Sequence, residues 1–185
     1  MSPIAAIDHL VTAEELLEHP EWEHCELIDG KVISLSPPNA RHGKCSHTIS
    51  RLLGNFVDAR KCGEVLVEAG FILCRKPDTV RAPDVMYLSN ARMPPGGIPN
   101  EYLPVPPDLA VEVVSPTDRS SDVTEKVASF LAAGVKVVWV VDPASRSAQV
   151  HRVGQPVVAL TEDGALTASD LLPGFSLPLK DIFQF

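Results

Sequence analysis

An acidic residue inside an apolar segment is the strongest chemical signal in this sequence. Glu112 lies in the run Leu109-Ala110-Val111-Glu112-Val113-Val114, which its apolar side chains predict to be a buried strand. Because a buried carboxylate without a partner is costly, its position indicates a cation nearby. Two companions are available: Asp84, which precedes another apolar run, and Lys126, on the helix predicted after Glu112.

Two carboxylates and a lysine are enough to hold a divalent metal ion and activate water against a phosphodiester. Each residue also has a structural interpretation: Glu112 as an edge-strand side chain, Asp84 as a turn residue, and Lys126 as a surface lysine whose stem covers apolar groups. The apolar run favours function for Glu112, whereas residue type alone favours the structural interpretation of Lys126. Lys136 is a rival lysine, but it lies in a predicted strand.

Composition limits the classes of protein that the chain can represent. The 185 residues favour one domain over 1–185, and the net charge of −8 argues against broad nonspecific binding of nucleic acid. Four cysteines without a CxxC pair disfavour a zinc or redox site. No apolar stretch reaches membrane-spanning length and no basic leader precedes one, so we expect a cytoplasmic protein with no membrane partner.

The pattern of apolar residues predicts an α/β fold: a central mixed sheet flanked by helices, with an N-terminal β-hairpin around Asp29-Gly30. A capping box at Thr12 opens a short helix, and a long helix begins near Arg41 or His42. The strand of Glu112 is followed by a predicted helix over 122–133, capped by Ser121, and by a predicted strand over 135–141. This strand-helix-strand order predicts that the two strands pair in parallel. The Pro- and Gly-rich stretch 92–107 predicts a long, functional loop.

Several short motifs occur in one order along the chain. They are Glu26-Leu27-Ile28-Asp29-Gly30, Ser36-Pro37-Pro38 followed by His42, Ala82-Pro83-Asp84-Val85, Pro107-Asp108-Leu109, Glu112-Val113-Val114-Ser115-Pro116, Asp122, Lys126, Gly134-Val135, Trp139 to Asp142-Pro143, and Leu172-Pro173-Gly174-Phe175. In this order they resemble the Uma-type endonuclease family, within the restriction-endonuclease-like PD-(D/E)XK superfamily. The resemblance runs from about residue 12 to the C-terminus.

The resemblance implies a restriction-endonuclease-like core and a site for Mg²⁺ or Mn²⁺. Asp84 matches the Asp of the PD motif and Glu112 the second acid; both would ligate the metal with the main-chain carbonyl of Val113. The superfamily's lysine lies two residues after this acid, where this chain has Val114, so Lys126 would supply it from the next helix.

Glu26 and His42 gain a role only from the resemblance. By residue type, a hairpin glutamate is usually solvated and a lone histidine is more often a cap or core residue. In the family pattern, Glu26 matches an acid near the metal and His42 a histidine near the site.

The function implied is that of a metal-dependent endonuclease that hydrolyses phosphodiester bonds of nucleic acid, with DNA as the favoured substrate. The alternative is a catalytically inactive nuclease-fold module that binds DNA or protein, because fold alone does not establish activity. A small-molecule metallohydrolase is a third interpretation. Restriction-like enzymes are often dimers, so a homodimer is also expected.

Overall fold

Helices and strands alternate along the chain much as the sequence predicts. The computed structural model describes residues 8–185. In this part of the chain the helices are α1 (Ala13–Glu18), α2 (Ala40–Arg60), α3 (Ser120–Ala132) and α4 (Leu179–Ile182). The strands are β1 (Cys25–Ile28), β2 (Lys31–Ser34), β3 (Gly63–Val67), β4 (Phe71–Cys74), β5 (Thr79–Arg81), β6 (Val85–Ser89), β7 (Leu109–Val113), β8 (Val137–Asp142), β9 (Ser147–Arg152), β10 (Val158–Leu160), β11 (Ala165–Leu166) and β12 (Leu177–Pro178).

A six-stranded mixed sheet forms the centre of the fold. Its strand order is β10-β9-β8-β7-β6-β3. β7 and β8 are parallel and joined by α3, as predicted, and the other neighbours are antiparallel. A parallel pair needs such a crossover, and burial on both faces explains the nearly continuous apolar sequence of these two strands.

The two faces of this sheet pack against different helices. On one face, α2 contributes Ile49, Leu53 and Val57 to a core that also contains Trp139 of β8. On the other face, Val127 and Phe130 of α3 pack with Ala110, Val138 and Val140. Because side chains alternate along a strand, Glu112 lies on the same face as Ala110 and is directed towards α3.

The N-terminal hairpin is confirmed, and it belongs to a second sheet. β1 and β2 pair around Asp29 and Gly30, both with positive φ. The sheet order is β2-β1-β5-β4, so β5 joins the hairpin to β4. The sequence predicted no strand directly before Asp84, because β5 has three residues, too few to show a periodic pattern.

Helix α3 begins earlier than expected. Its N-cap is Arg119, not Ser121, and no side chain forms the cap hydrogen bond. Ser121 instead donates a hydrogen bond to the carboxylate of Asp122. The capping box at Thr12 is confirmed, since the Thr12 and Glu15 side chains accept from each other's backbone N–H.

The loop over 92–107 has a structural role. Arg92 donates to the carbonyls of Pro106, Pro107 and Gly134, which ties the loop to the end of α3. None of its residues lines the cleft described below, so its predicted functional role is not supported.

Asp108 anchors the end of β7 opposite to Glu112. It is fully buried, with Lys136 Nζ 2.7 Å and Arg92 Nε 3.2 Å from its carboxylate, and Ser89 N–H donating to it at 2.9 Å. Lys136, the rival lysine, thus pairs with Asp108 and lies away from Glu112. Burial alone would raise the pKa of Asp108, but Lys136, Ser89 and Arg92 outweigh it and lower the pKa.

Replacing Asp108 by Asn is expected to lower the free energy of unfolding by about 1.5–3 kcal/mol, since it weakens the charge-assisted hydrogen bonds that the buried carboxylate accepts from Lys136, Arg92 and Ser89. Because the pKa of Asp108 is lowered in the folded state, its contribution is complete above the unfolded pKa and is lost as pH falls through the folded pKa. Urea unfolding at neutral and acidic pH measures both effects. Asp170→Asn, which removes the exposed partner of Arg152, is the matched control and should cost at most about 1 kcal/mol. Equal losses in the two variants would contradict this assignment.

Candidate active site

Glu112 and Lys126 form an ion pair beneath α3. Lys126 Nζ lies 3.1 Å from Glu112 Oε2, and the two side chains are only 20% and 14% exposed. Lys126 is therefore directed into the protein, and its interpretation as a surface lysine is wrong. Glu112 has the cation that its apolar surroundings predicted, but its Oε1 is buried with no hydrogen-bond partner among residues 8–185.

Glu26 reaches the same ammonium group from the second sheet. Its Oε1 lies 3.0 Å from Lys126 Nζ, and the side chain is only 6% exposed. Ala82 N–H also donates to this carboxylate at 3.3 Å. The residue-type expectation that Glu26 is solvated is wrong, because pairing of β1 with β5 covers the hairpin and brings Glu26 next to the 82–84 segment.

Asp84 directly precedes β6, which begins at Val85. Backbone pairing of β6 with β7 ends where Val85 lies opposite Val111. Beyond that point, the Asp84 carboxylate replaces the backbone of β6 as the hydrogen-bond partner of β7. Its Oδ2 accepts from Val113 N–H at 2.6 Å. Because the N–H and C=O of one strand residue point to the same edge, the Val113 carbonyl also faces the Asp84 side of β7.

His42 supports Asp84 from the first turn of α2. Its Nε2 lies 3.2 Å from Asp84 Oδ1, and its Nδ1 is buried without a hydrogen-bond partner in the part of the chain that the structure describes. Burial works to lower the pKa of His42, but the hydrogen bond and charge of Asp84 prevail and raise it. His42 is thus neither a helix cap, a role that Asn39 fills, nor an isolated core residue.

Burial and neighbouring charges shift the ionisation of Glu112 and Lys126. Burial, with the charges of Asp84 and Glu26, raises the pKa of Glu112 to about 8, although Lys126 opposes the shift. Burial would lower the pKa of Lys126, but Glu112 and Glu26 prevail and raise it. A further cation beside Glu112 would therefore stabilise its ionised form.

The donor set fits a hard divalent cation. Carboxylate and main-chain carbonyl oxygens are the ligands that Mg²⁺ and Mn²⁺ accept, and the free Oε1 of Glu112 is a buried oxygen that lacks a partner. Within residues 8–185, no three His, Cys, Asp or Glu side chains form a group that could hold a metal ion. The protein would thus offer two carboxylates and a carbonyl, and Mg²⁺ commonly completes such a set with water and substrate phosphate.

A cleft of about 330 Å³ opens beside Glu112. Its lining residues are Glu26, Ile28, Ile33, Leu35, Arg81, Glu112, Val113, Val114, Asp118, Asp122, Val123, Glu125 and Lys126. Sequence reasoning missed Arg81 as a cleft residue. The available signal was an arginine directly before the Ala82-Pro83-Asp84 motif, but only the unpredicted strand β5 shows that it turns inwards.

Comparisons with known proteins agree with this fold. A family model, Uma2, described as "Putative restriction endonuclease", matches residues 13–180. A solved structure from Anabaena variabilis ATCC 29413, described as a putative nuclease belonging to DUF820, aligns with a TM-score of 0.80 and 23% identity. The alignment covers 94% of this chain and 97% of the other. These matches confirm the α/β fold with a central mixed sheet flanked by helices.

No curated protein matches the chain. Over residues 8–185, the helices are too short or too polar for any of them to cross a membrane.

Proposed function

This chain belongs to the Uma2 family of restriction-endonuclease-like proteins, and from that premise we propose that it is a metal-dependent endonuclease. Its reaction is the hydrolysis of phosphodiester bonds in nucleic acid, with DNA as the substrate. The family and the nuclease-like fold support a nuclease. The dependence on a metal ion, the DNA substrate and the roles of the residues are what we propose. The single-domain organisation and the homodimer stay predictions from the sequence.

One observation carries the proposal. Asp84 and Glu112 come from neighbouring strands to one cluster, and Glu112 has a buried, unpartnered oxygen next to the mostly buried Lys126. A structural ion pair alone leaves that oxygen unexplained, because buried polar atoms normally have partners. A cation held between the two carboxylates would give that oxygen a partner and would stabilise the ionised form of Glu112.

In this proposal, Asp84, Glu112 and the Val113 carbonyl hold Mg²⁺ or Mn²⁺. Such a cation, when bound, supplies Lewis-acid activation of water and neutralises charge on the phosphate. Val113 N–H and His42 hold the Asp84 carboxylate in place through its two oxygens. Because both oxygens of Asp84 are already engaged, its orientation is set before any ligand binds.

Lys126 supplies positive charge beside the reacting phosphate. Its ammonium group is fixed by Glu26 at 3.0 Å and Glu112 at 3.1 Å, and it also donates to the Ala82 carbonyl at 3.4 Å. A cation fixed in advance stabilises charge that develops during the reaction without reorganisation. Glu26 acts through Lys126 as a positioning residue.

Calorimetric titration with Mg²⁺ tests the site directly. We expect binding that strengthens as pH rises towards about 8, because protonation of Glu112 below that pKa competes with the metal. Binding should also release a proton, which titrations in buffers of different ionisation enthalpy detect. Glu112→Gln should lose the proton release and most of the affinity; Mg²⁺ binding to this variant as to the wild type would refute the ligand assignment.

A catalytically inactive nuclease-fold module is the second candidate. The acidic lining of the cleft, with Asp118, Asp122 and Glu125 added to the central carboxylates, favours it because these groups repel a polyanion. Mg²⁺ titration separates the two: an absence of binding, with and without DNA, supports the inactive module.

A further inference from the structure

Arg81 is a buried cation in the cleft that the proposed site does not use. It is the last residue of β5, where it pairs with Phe71 of β4, and its side chain is only 7% exposed. The guanidinium group lines the same cleft as Glu112 and Lys126. Arginine is rarely buried unless its charge and its N–H groups are matched, so its partners decide its role.

The partners of Arg81 match its charge but not its donor geometry. Glu26 Oε2 lies 4.0 Å from Nε, beyond hydrogen-bond distance, and Nε is buried with no hydrogen-bond partner among the described residues. Arginine and carboxylate normally meet at about 2.7–2.9 Å and often in a two-bond arrangement. A buried guanidinium with an unused donor is prepared for an oxyanion that the protein itself does not supply.

The remaining partner of Arg81 is easily displaced. Glu125 Oε1 accepts from Nη2 at 3.3 Å, but the Glu125 side chain is 72% exposed. Ion pairs to such exposed groups contribute little, so Glu125 can move into solvent at small cost. Lys126, by contrast, is held by two carboxylates at 3.0 and 3.1 Å. Of the two cations that line the cleft, Arg81 is therefore the one with a donor free for a direct hydrogen bond to a new anion.

We propose that Arg81 forms a phosphate-binding subsite next to the Asp84–Glu112 centre, which Glu125 occupies until a phosphate oxyanion of the substrate displaces it. The proposal rests on the proposed nuclease function, and it names the group that recognises the backbone of the nucleic acid. Planar guanidinium donors match phosphate oxygens in pairs, which a lysine cannot reproduce. A purely structural Arg81, present only to neutralise Glu26, would need its charge and not its planar donors.

Inorganic phosphate is the probe for this subsite, because its binding requires no cleavage. In the ¹⁵N-labelled full chain, we expect phosphate to shift the Arg81 Nε–Hε resonance, which Arg81→Lys identifies by removing it. Calorimetry should show affinity for phosphate that falls by about 10- to 100-fold in Arg81→Lys, the loss typical of charge-assisted hydrogen bonds. In Glu125→Gln, affinity should rise by about 2- to 5-fold, since a weak exposed ion pair no longer competes.

Glu162→Gln is the matched control, because Glu162 pairs with Arg146 and does not line the cleft. It should leave the affinity for phosphate unchanged. Glu125→Gln changes an exposed residue and keeps the proposal testable even if Arg81→Lys destabilises the fold. An Arg81 resonance that does not respond to phosphate in either the wild type or Glu125→Gln overturns the subsite, as does wild-type affinity in a folded Arg81→Lys.

The outcomes also separate the subsite from the nuclease function. Phosphate binding at Arg81 without Mg²⁺-dependent cleavage of duplex DNA supports an oxyanion site and refutes the nuclease. Cleavage of DNA with no response of Arg81 to phosphate refutes the subsite alone. If both the phosphate subsite and the nuclease function are correct, Arg81→Lys should raise the KM for DNA more than it lowers kcat, because the lost contact is to the substrate backbone.

Discussion

Glu112→Gln and Asp84→Asn are each expected to abolish Mg²⁺-dependent cleavage of DNA while the protein stays folded. Each change replaces an ionised oxygen ligand by a neutral amide of the same shape. Loss of a ligand should exceed the roughly 10- to 100-fold effect typical of residues that merely support ligands. Cleavage of a supercoiled plasmid by the purified variants, with urea unfolding in parallel, measures both properties.

The two variants should differ little from wild type in stability, for different reasons. Because burial raises the pKa of Glu112 in the folded state, its ionised form is disfavoured there, and Gln removes that cost. In Asp84→Asn, the carbonyl of the new side-chain amide can still accept from Val113 N–H, as the carboxylate of Asp84 does now. Asp170→Asn is the control for loss of a surface carboxylate and should cut at the wild-type rate. A Glu112→Gln or Asp84→Asn protein that also cuts at that rate would eliminate the proposed centre.

Lys126→Met is expected to lose both activity and stability. The change leaves Glu26 and Glu112 buried without the ammonium group that they share, and breaking a buried pair in this way costs about 3–5 kcal/mol. Mg²⁺ should restore part of this stability, because a ligand at 100 times its dissociation constant stabilises the folded state by about 2.7 kcal/mol. Cleavage should not recover, since the positive charge beside the phosphate is still absent.

Lys136→Met is the matched lysine variant. Lys136 also pairs with a buried carboxylate, that of Asp108, but at the opposite end of β7. The Lys136→Met variant should be less stable than the wild type, and Mg²⁺ should not restore its stability. The folded variant should still cleave DNA. Adding Glu26→Gln to Lys126→Met should recover stability but not activity. Equal rescue of the two lysine variants by Mg²⁺ would mean that the metal does not act at the Lys126 cluster.

The sequence by itself determined most of the helices and strands and identified Glu112 and Asp84 as a pair of acids that could hold a metal ion. Local pattern was sufficient for α1 with its capping box, for the hairpin at Asp29-Gly30, and for the parallel pair β7 and β8. Glu112 stood out for the same reason, since a charge within an apolar strand is visible without knowledge of any neighbour. Asp84 and Lys126 were the companions that the sequence offered, and the family pattern then added Glu26 and His42; the roles of all four stay predictions.

Only the tertiary structure decided how these residues meet. Glu26, Lys126 and Arg81 look like ordinary surface residues in the sequence, because each is charged and lies in a short or amphipathic element. They lie together at the cleft because β1 pairs with β5 and α3 packs over β7, which are contacts between segments far apart in the chain. Burial turns Glu26 into the second partner of Lys126 and leaves Arg81 with an unused donor. Such long-range pairing leaves no local period in the sequence, and that is why the charge balance of the cleft could be seen only in the folded chain.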